Sequence, residues 1–260
     1  MRRLDFVALV LGTLTTWTAA AADSPSILIL YDNTAVRSDL QLDWGFAAVV
    51  TFRGHTILFD SGTKPDVLTS NMRALNVDPS TFEFGVFSHS HQDHVGGLAA
   101  VTGLRAGLVV HYLDAFPPAA FASAERLGAK PVRITEGREL LPGLFTTGQI
   151  AGEPPEQALV LDTSKGLIVL TGCSHPGVVG MVEAARRLKP GATIRLVVGG
   201  FHMLLNTESQ VRATIARLRE MGVQSILPTH CTGVVATRLF REAFGEQFLS
   251  GGAGTRVPID

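Results

Sequence analysis

Three imidazoles and a carboxylate fall within six positions of this chain, in His89-Ser90-His91-Gln92-Asp93-His94, and Val95-Gly96-Gly97 follows directly. Neutral imidazole and carboxylate are donors suited to zinc, iron or manganese. Along an extended segment alternate side chains share a side, so His89 and His91 point together, whereas the neighbours Asp93 and His94 must diverge. The segment therefore reads as ligands for two separate metals, one short loop supplying half of a dinuclear site. Gly96 and Gly97 let the backbone turn closely beneath the ions. The alternative is a polar loop that is merely histidine-rich, but the chain has only eight histidines in 260 residues, and metal binding is the main use of such clusters.

Three other segments have the same setting, an apolar run followed abruptly by a polar loop. They are Thr171-Gly172-Cys173-Ser174-His175-Pro176-Gly177, Gly199-Gly200-Phe201-His202-Met203 and Pro228-Thr229-His230-Cys231-Thr232-Gly233. His175 and His230 read as metal ligands in preference to structural histidines. His202 could be a ligand, a proton donor to a leaving group or a histidine with no chemical role, and acid–base or substrate contact is favoured. Asp60, closing Leu58-Phe59-Asp60, could cap the next helix or hold a ligand histidine in its correct tautomer. Cys173 and Cys231 each lie beside a histidine, which is the company of a metal ligand. His55 and His111 read as structural.

The elements that must position these residues alternate between strand and helix. Strands are expected over Ile27 to Tyr31, Gly45 to Phe52, His55 to Asp60, Phe84 to Ser88, Leu108 to His111, Ile194 to Val198 and Ser225 to Leu227. Helices are expected over Pro65 to Leu75, Pro117 to Leu127, Gly177 to Leu188, Thr207 to Met221 and Val234 to Phe244. Arg53-Gly54 reads as the hairpin turn between the second and third of the strands, and between Val132 and Leu170 the pattern is β-rich, with turns at Glu136-Gly137, Pro142-Gly143 and Lys165-Gly166. Two halves of strands followed by helices fit an α/β (α+β) sandwich of two sheets with helices outside, a single domain over residues 23–260.

Residues 1–22 read separately. Met1-Arg2-Arg3 is a basic start, Phe6 to Leu14 an apolar core, and Ala19-Ala20-Ala21-Ala22 a run of small residues, together a signal peptide cleaved near Ala22. An uncleaved membrane anchor is the alternative. No other stretch approaches the roughly eighteen apolar residues of a membrane span, so the mature protein is expected in the periplasm or outside the cell without stable membrane insertion. In that oxidising compartment a Cys173–Cys231 disulfide is chemically possible. With 17% charged residues and a net charge of −1, no basic face for nucleic acid is signalled, and the partner expected is a small-molecule substrate.

His89-Ser90-His91-Gln92-Asp93-His94 resembles the H-x-H-x-D-H signature of the metallo-β-lactamase superfamily. The resemblance implies an αββα sandwich with a dinuclear hydrolase-type site at one edge, and it favours Asp60 as the carboxylate behind a ligand histidine. The later motifs, with Asp32-Asn33-Thr34 and Glu156-Gln157-Ala158-Leu159, are similar to a subgroup that includes an archaeal dihydropterin ribofuranosylaminobenzene-phosphate synthase. Two departures matter. Thr147-Gly148-Gln149-Ile150 stands where many relatives carry a metal-binding Gly-His-Thr, so that His175 is expected to substitute. Gly172-Cys173 stands where relatives carry a bridging aspartate, and a thiolate is a good zinc ligand. Trp44 also stands where the subgroup tends to carry a histidine.

The expected assignment is His89, His91 and His175 for one metal and Asp93, His94 and His230 for the other, with Cys173 bridging or beside them. Two divalent ions, zinc in the first instance with iron or manganese as alternatives, would lower the pKa of a shared water toward about 7 and polarise an electrophile. Asp93 and His202 are the catalytic candidates. The activity expected is an exported metal-dependent hydrolase acting on an ester, lactone or phosphoester. A transferase like the synthase and a di-metal oxidoreductase are the alternatives.

Overall fold

The computed structural model describes residues 24–259, so the signal-peptide reading of residues 1–22 lies outside the described residues. The first half of the chain builds β1 (Ser26–Tyr31), β2 (Ala47–Phe52), β3 (His55–Phe59), β4 (Phe84–Val86), β5 (Val109–Leu113) and β6 (Lys130–Ile134). The second half builds β7 (Glu136–Leu141), β8 (Leu144–Gly148), β9 (Leu159–Thr163), β10 (Gly166–Thr171), β11 (Ile194–Gly200) and β12 (Ser225–Thr229), before β13 (Arg256–Pro258) returns beside β1. The sheets run β13-β1-β2-β3-β4-β5-β6 and β12-β11-β10-β9-β8-β7. In the first, β1, β2 and β3 form an antiparallel meander and β3 to β6 are parallel. In the second, β7 to β10 are antiparallel and β10 to β12 parallel.

Period-two alternation sorts the strand side chains into two faces. Ile27 and Ile29 of β1 face Ile168 and Leu170 of β10 in a core between the sheets. Leu28 and Leu30 face the other way, into a core with α1 (Pro65–Ala74) and α4 (Pro118–Arg126). Leu167 and Val169 of β10 pack with α5 (Val178–Leu188), α6 (Glu208–Glu220) and α7 (Val234–Phe244). The result is four layers, αββα, and its apolar strands are buried on both faces because helices cover the outer ones. Parallel neighbours require crossover connections, which is why helices follow β3, β5, β10 and β11. The ligand segment contains a short helical turn, Gln92–Val95, and a second, Leu98–Thr102, follows it; these are α2 and α3.

The structure corrects two expectations. Glu136-Gly137 is not a turn but the start of β7, with Glu136 opposite Gly148. A Cβ on Gly137 would stand 2.8 Å from the Thr147 carbonyl oxygen and 2.9 Å from Leu188, so this glycine serves close approach inside a strand. β4 stops at Val86 instead of Ser88, because the Ser88 N–H donates to the Asp60 carboxylate, at 2.7 Å, instead of to a neighbouring strand. Among the described residues no helix is long and apolar enough to cross a membrane. Leu170, fully buried between the sheets, tests the inter-sheet core: Leu170→Ala should lower the unfolding free energy by about 2–5 kcal/mol, read as a shifted midpoint in urea with an unchanged slope.

Candidate metal centre

Parallel strands end on one edge, so the loops that follow them converge. Asp60 follows β3, Ser88 to His94 follow β4, Gly172 to His175 follow β10, His202 follows β11, and His230 with Cys231 follows β12. The turns are sharp. Among the described residues six non-glycine residues have a positive φ, and four of them are here: Asp60 at 55°, Ser174 at 67°, His202 at 49° and His230 at 49°. Strained backbone of this kind persists where the surroundings hold it and clusters at functional sites.

The loops bring the candidate side chains into adjoining groups. In one, the donor atoms of His89, His91 and His175 all lie within 4.8 Å of one another. In the next, those of Asp93, His94, Cys173 and His230 do the same. There the His94 Nε2 is 3.2 Å from the Cys173 Sγ and 3.7 Å from the Asp93 Oδ2, and the His230 Nε2 is 3.3 Å from that same oxygen. The groups adjoin closely, the His89 and His94 ring centroids being 4.1 Å apart. Cys173 also joins a third group with His202 and Cys231.

The far nitrogen of each of four histidines is held from behind. His94 Nδ1 lies 2.7 Å from Asp60 Oδ2, His89 Nδ1 2.9 Å from Ser88 Oγ, His175 Nδ1 2.9 Å from Glu156 Oε2, and His230 Nδ1 3.1 Å from Asn33 Oδ1. Such contacts fix ring orientation and tautomer and turn the other nitrogen inward. The Nε2 atoms of His89 and His230 are buried and have no hydrogen-bond partner. Buried polar atoms without partners are rare in folded proteins. A bound cation would satisfy both, and donors set tetrahedrally around zinc at about 2.0–2.3 Å stand roughly 3.3–3.7 Å apart, the spacing seen around Asp93, His94, Cys173 and His230. The residues fit a metal.

Asp60 does not cap α1, whose N-terminal residue Lys64 has no side-chain cap. It is fully buried and accepts from the Ser88 N–H and the Ser88 hydroxyl, both at 2.7 Å, as well as facing His94. Burial pushes the His94 imidazole down, but the Asp60 carboxylate outweighs it and holds the ring up at about 9. Burial likewise pushes the Asp93 carboxyl up, and the facing His230 and His94 imidazoles more than reverse this, leaving it well below the usual range.

Glu156 is the member that sequence reasoning did not single out as functional. Fully buried, it accepts from the backbone N–H groups of Cys173, Ser174 and His175 at 2.8, 2.8 and 2.9 Å besides holding the His175 ring. Burial pushes its carboxyl up, but His89 and the bonds from His175 and Ser174 hold it well below the usual range. In the sequence it stands only as the first residue of Glu156-Gln157-Ala158-Leu159, an acid ahead of a buried strand, and carries no assigned role.

The remaining candidates find distinct places. Gln149 is exposed and its backbone bonds to Thr135, so it does not enter the cluster. His175 instead stands with His89, ring centroids 4.5 Å apart. Cys173 and Cys231 are buried free thiols, Cys231 Sγ lying 3.6 Å from the Cys173 carbonyl oxygen. His202 is exposed, 4.2 Å from the His175 ring, and the adjacent Cys231 pushes its imidazole up. Trp44 packs 5.0 Å from the His230 ring. His55 pairs with Glu83 at the surface, and His111 packs edge-on to Phe84.

Comparisons with known proteins agree with this architecture. A curated relative, the 7,8-dihydropterin-6-methyl-4-(β-D-ribofuranosyl)-aminobenzene-5'-phosphate synthase of Methanocaldococcus jannaschii, is 29% identical over 236 residues, covering 74% of this chain and 80% of its own. An uncharacterised protein of the same organism is 27% identical over 244 residues, covering 81% and 91%. A solved metal-dependent hydrolase of the β-lactamase superfamily superposes with a TM-score of 0.77 at 24% identity, over 91% of this chain and 99% of that one. Residues 45–186 match the metallo-β-lactamase superfamily, and the chain belongs to it.

Proposed function

We propose that this protein is an exported hydrolase dependent on two divalent metal ions, zinc in the first instance, acting on an ester, lactone or phosphoester of small-molecule size. The observation that carries the reading is the pair of adjoining donor groups, four of whose five histidines are held from behind while the buried Nε2 atoms of His89 and His230 face inward without partners. His89, His91 and His175 would hold one ion, and Asp93, His94, Cys173 and His230 the other. When bound, such ions supply Lewis acidity and a nucleophilic water at neutral pH. His202, exposed beside His175 with its imidazole pushed up, would give a proton to a leaving group. Asp60, Ser88, Glu156 and Asn33 would position the ligands.

A second reading, group transfer instead of hydrolysis, is favoured by the curated relative named as a synthase. A shared fold does not separate the two. Activity does: the purified protein should hydrolyse at least one member of a panel of nitrophenyl phosphodiesters, esters and lactones, with loss on chelation and recovery on zinc. Formation of the relative's named product without net hydrolysis would favour the transferase.

Metal analysis should find close to two ions per chain, and Asp93→Ala or His230→Ala should retain close to one; unchanged content in both would refute the assignment. Asp60→Ala and Glu156→Gln, touching no metal themselves, should each weaken metal affinity by about 10–100-fold, measured by competition with a chromophoric chelator. Because a ligand nitrogen must be free of its proton, and His94 keeps one up to about 9, zinc uptake should release protons and tighten as pH rises toward that value. Calorimetry in buffers of different ionisation enthalpy counts those protons, and a pH-independent affinity would contradict the ligand role of His94.

A further inference from the structure

Cys231 is a buried thiol that neither of the two donor groups uses. Its Sγ instead meets the Cys173 Sγ and a ring nitrogen of His202 in a group of its own, the three donor atoms all within 4.8 Å of one another. Both sulfurs are buried and the imidazole is exposed. The backbone holds these side chains together. The N–H groups on either side of His202, those of Phe201 and Met203, donate to the Thr232 hydroxyl at 3.1 Å and to the Cys231 carbonyl at 3.2 Å. The loop after β11 is thereby tied to the turn after β12, with His202 between the two ties. A Cβ on Gly200 would stand 2.8 Å from the Cys231 Sγ and 3.1 Å from the Cys173 Cα. Glycine at position 200 is what lets the two cysteines approach across it.

Hydrogen bonding does not account for this arrangement. The Cys231 thiol, a weak donor, faces the Cys173 carbonyl oxygen at 3.6 Å. Two sulfurs and an imidazole are instead the donor set that zinc and other thiophilic ions favour. Magnesium and calcium take oxygen ligands and do not suit it. Three protein donors would leave the fourth position of a tetrahedral ion open to water.

We propose that Cys173, His202 and Cys231 form a third metal site, selective for a thiophilic divalent ion, with the Cys173 thiolate shared between it and the second donor group. Cys231 gives its thiol proton to solvent on binding, as a ligand sulfur must. The site is the weakest of the three, because its imidazole is exposed and its shared sulfur already faces another dication. Protein dialysed against metal-free buffer should therefore keep two ions and lose the third. One consequence rests on the reading of His202 as the leaving-group acid. A ligand imidazole cannot at the same time be the protonated donor, so excess zinc inhibits hydrolysis. Binding is read without turnover, so the site and the hydrolase reading can fail separately.

The test titrates the full chain, loaded with two equivalents of cadmium and dialysed, with further cadmium while the ultraviolet thiolate-to-cadmium absorbance is followed. A third equivalent should bind and add an increment from the Cys231 thiolate. Cys231→Ser should lose that increment and keep the first two ions. His202→Ala, altered at the surface, should keep both sulfurs and weaken the third ion by at least about tenfold, the loss that even a residue behind a ligand can cost. The half-inhibitory concentration of zinc, taken against each variant's own uninhibited rate, should rise by a similar factor in Cys231→Ser. Thermal midpoint and retention of the first two ions establish that each variant is folded. Saturation at two equivalents, a third increment that survives Cys231→Ser, or both thiols found as a disulfide in aerobically purified protein would overturn the site. A third ion that binds as described and leaves hydrolysis unaffected would support the site and overturn the acid role of His202.

Discussion

Two carboxylates without solvent exposure, Asp60 and Glu156, constrain the rest of this molecule. A buried charge is tolerated only where it is surrounded by donors, and each of these gathers its donors from a loop in another part of the chain. Asp60, after β3, takes the backbone and hydroxyl of Ser88 and faces His94. Glu156, ahead of β9, takes three consecutive backbone N–H groups and the ring of His175. Satisfying the two carboxylates therefore shapes both ligand loops. Gly172 is where the arrangements touch: a Cβ there would collide with the Ser88 hydroxyl and stand 2.9 Å from Asp60 Oδ2. A glycine is required for close approach, in addition to any demand of the turn.

The sheets explain why this edge carries such a cluster. Each contains an antiparallel meander and a parallel set, and the parallel sets, β3 to β6 and β10 to β12, release their loops in one direction. The central core, filled by residues such as Ile29, Phe59, Ile168 and Val198, holds the sheets face to face and so fixes the separation of the loops. Positive φ angles at Asp60, Ser174, His202 and His230 turn the chain back at the end of a strand or soon after it. The packed layers supply the stability against which that strain is held.

Much of the site is legible in the sequence because its chemistry is local. Histidines and a carboxylate within six positions announce themselves, and the recurring change from apolar strand to polar loop locates His175, His202 and His230. What is not legible is long-range. Asn33 and His230 are 197 positions apart, and no spacing rule joins them. Glu156 meets backbone N–H groups 17 to 19 positions away, and backbone donors carry no residue signature. Asp93 and His94 do not diverge as an extended loop would make them: they leave a helical turn, and the His94 Nε2 lies 3.7 Å from the Asp93 Oδ2 in one donor group. The fold was legible as alternating buried strands and amphipathic helices; the register of β7 was not, because the glycine that signals a turn there serves close packing against Leu188.

The two donor groups differ in a way that bears on how the proposed centre would fill. One consists of three imidazoles, His89 buried, His91 exposed and His175 between, and carries no formal charge when its ligands are neutral. The other adds the carboxylate of Asp93 and the thiol of Cys173, both able to ionise, to His94 and His230, and all but Asp93 are fully buried. In a poorly hydrated site the attraction between a divalent ion and anionic donors is strong, and a thiolate further favours zinc over magnesium or calcium. On the proposed reading the buried group would therefore fill first and hold its ion as structure. The more open group would hold the exchangeable ion, on the side where His91 and His202 reach solvent and a substrate can approach.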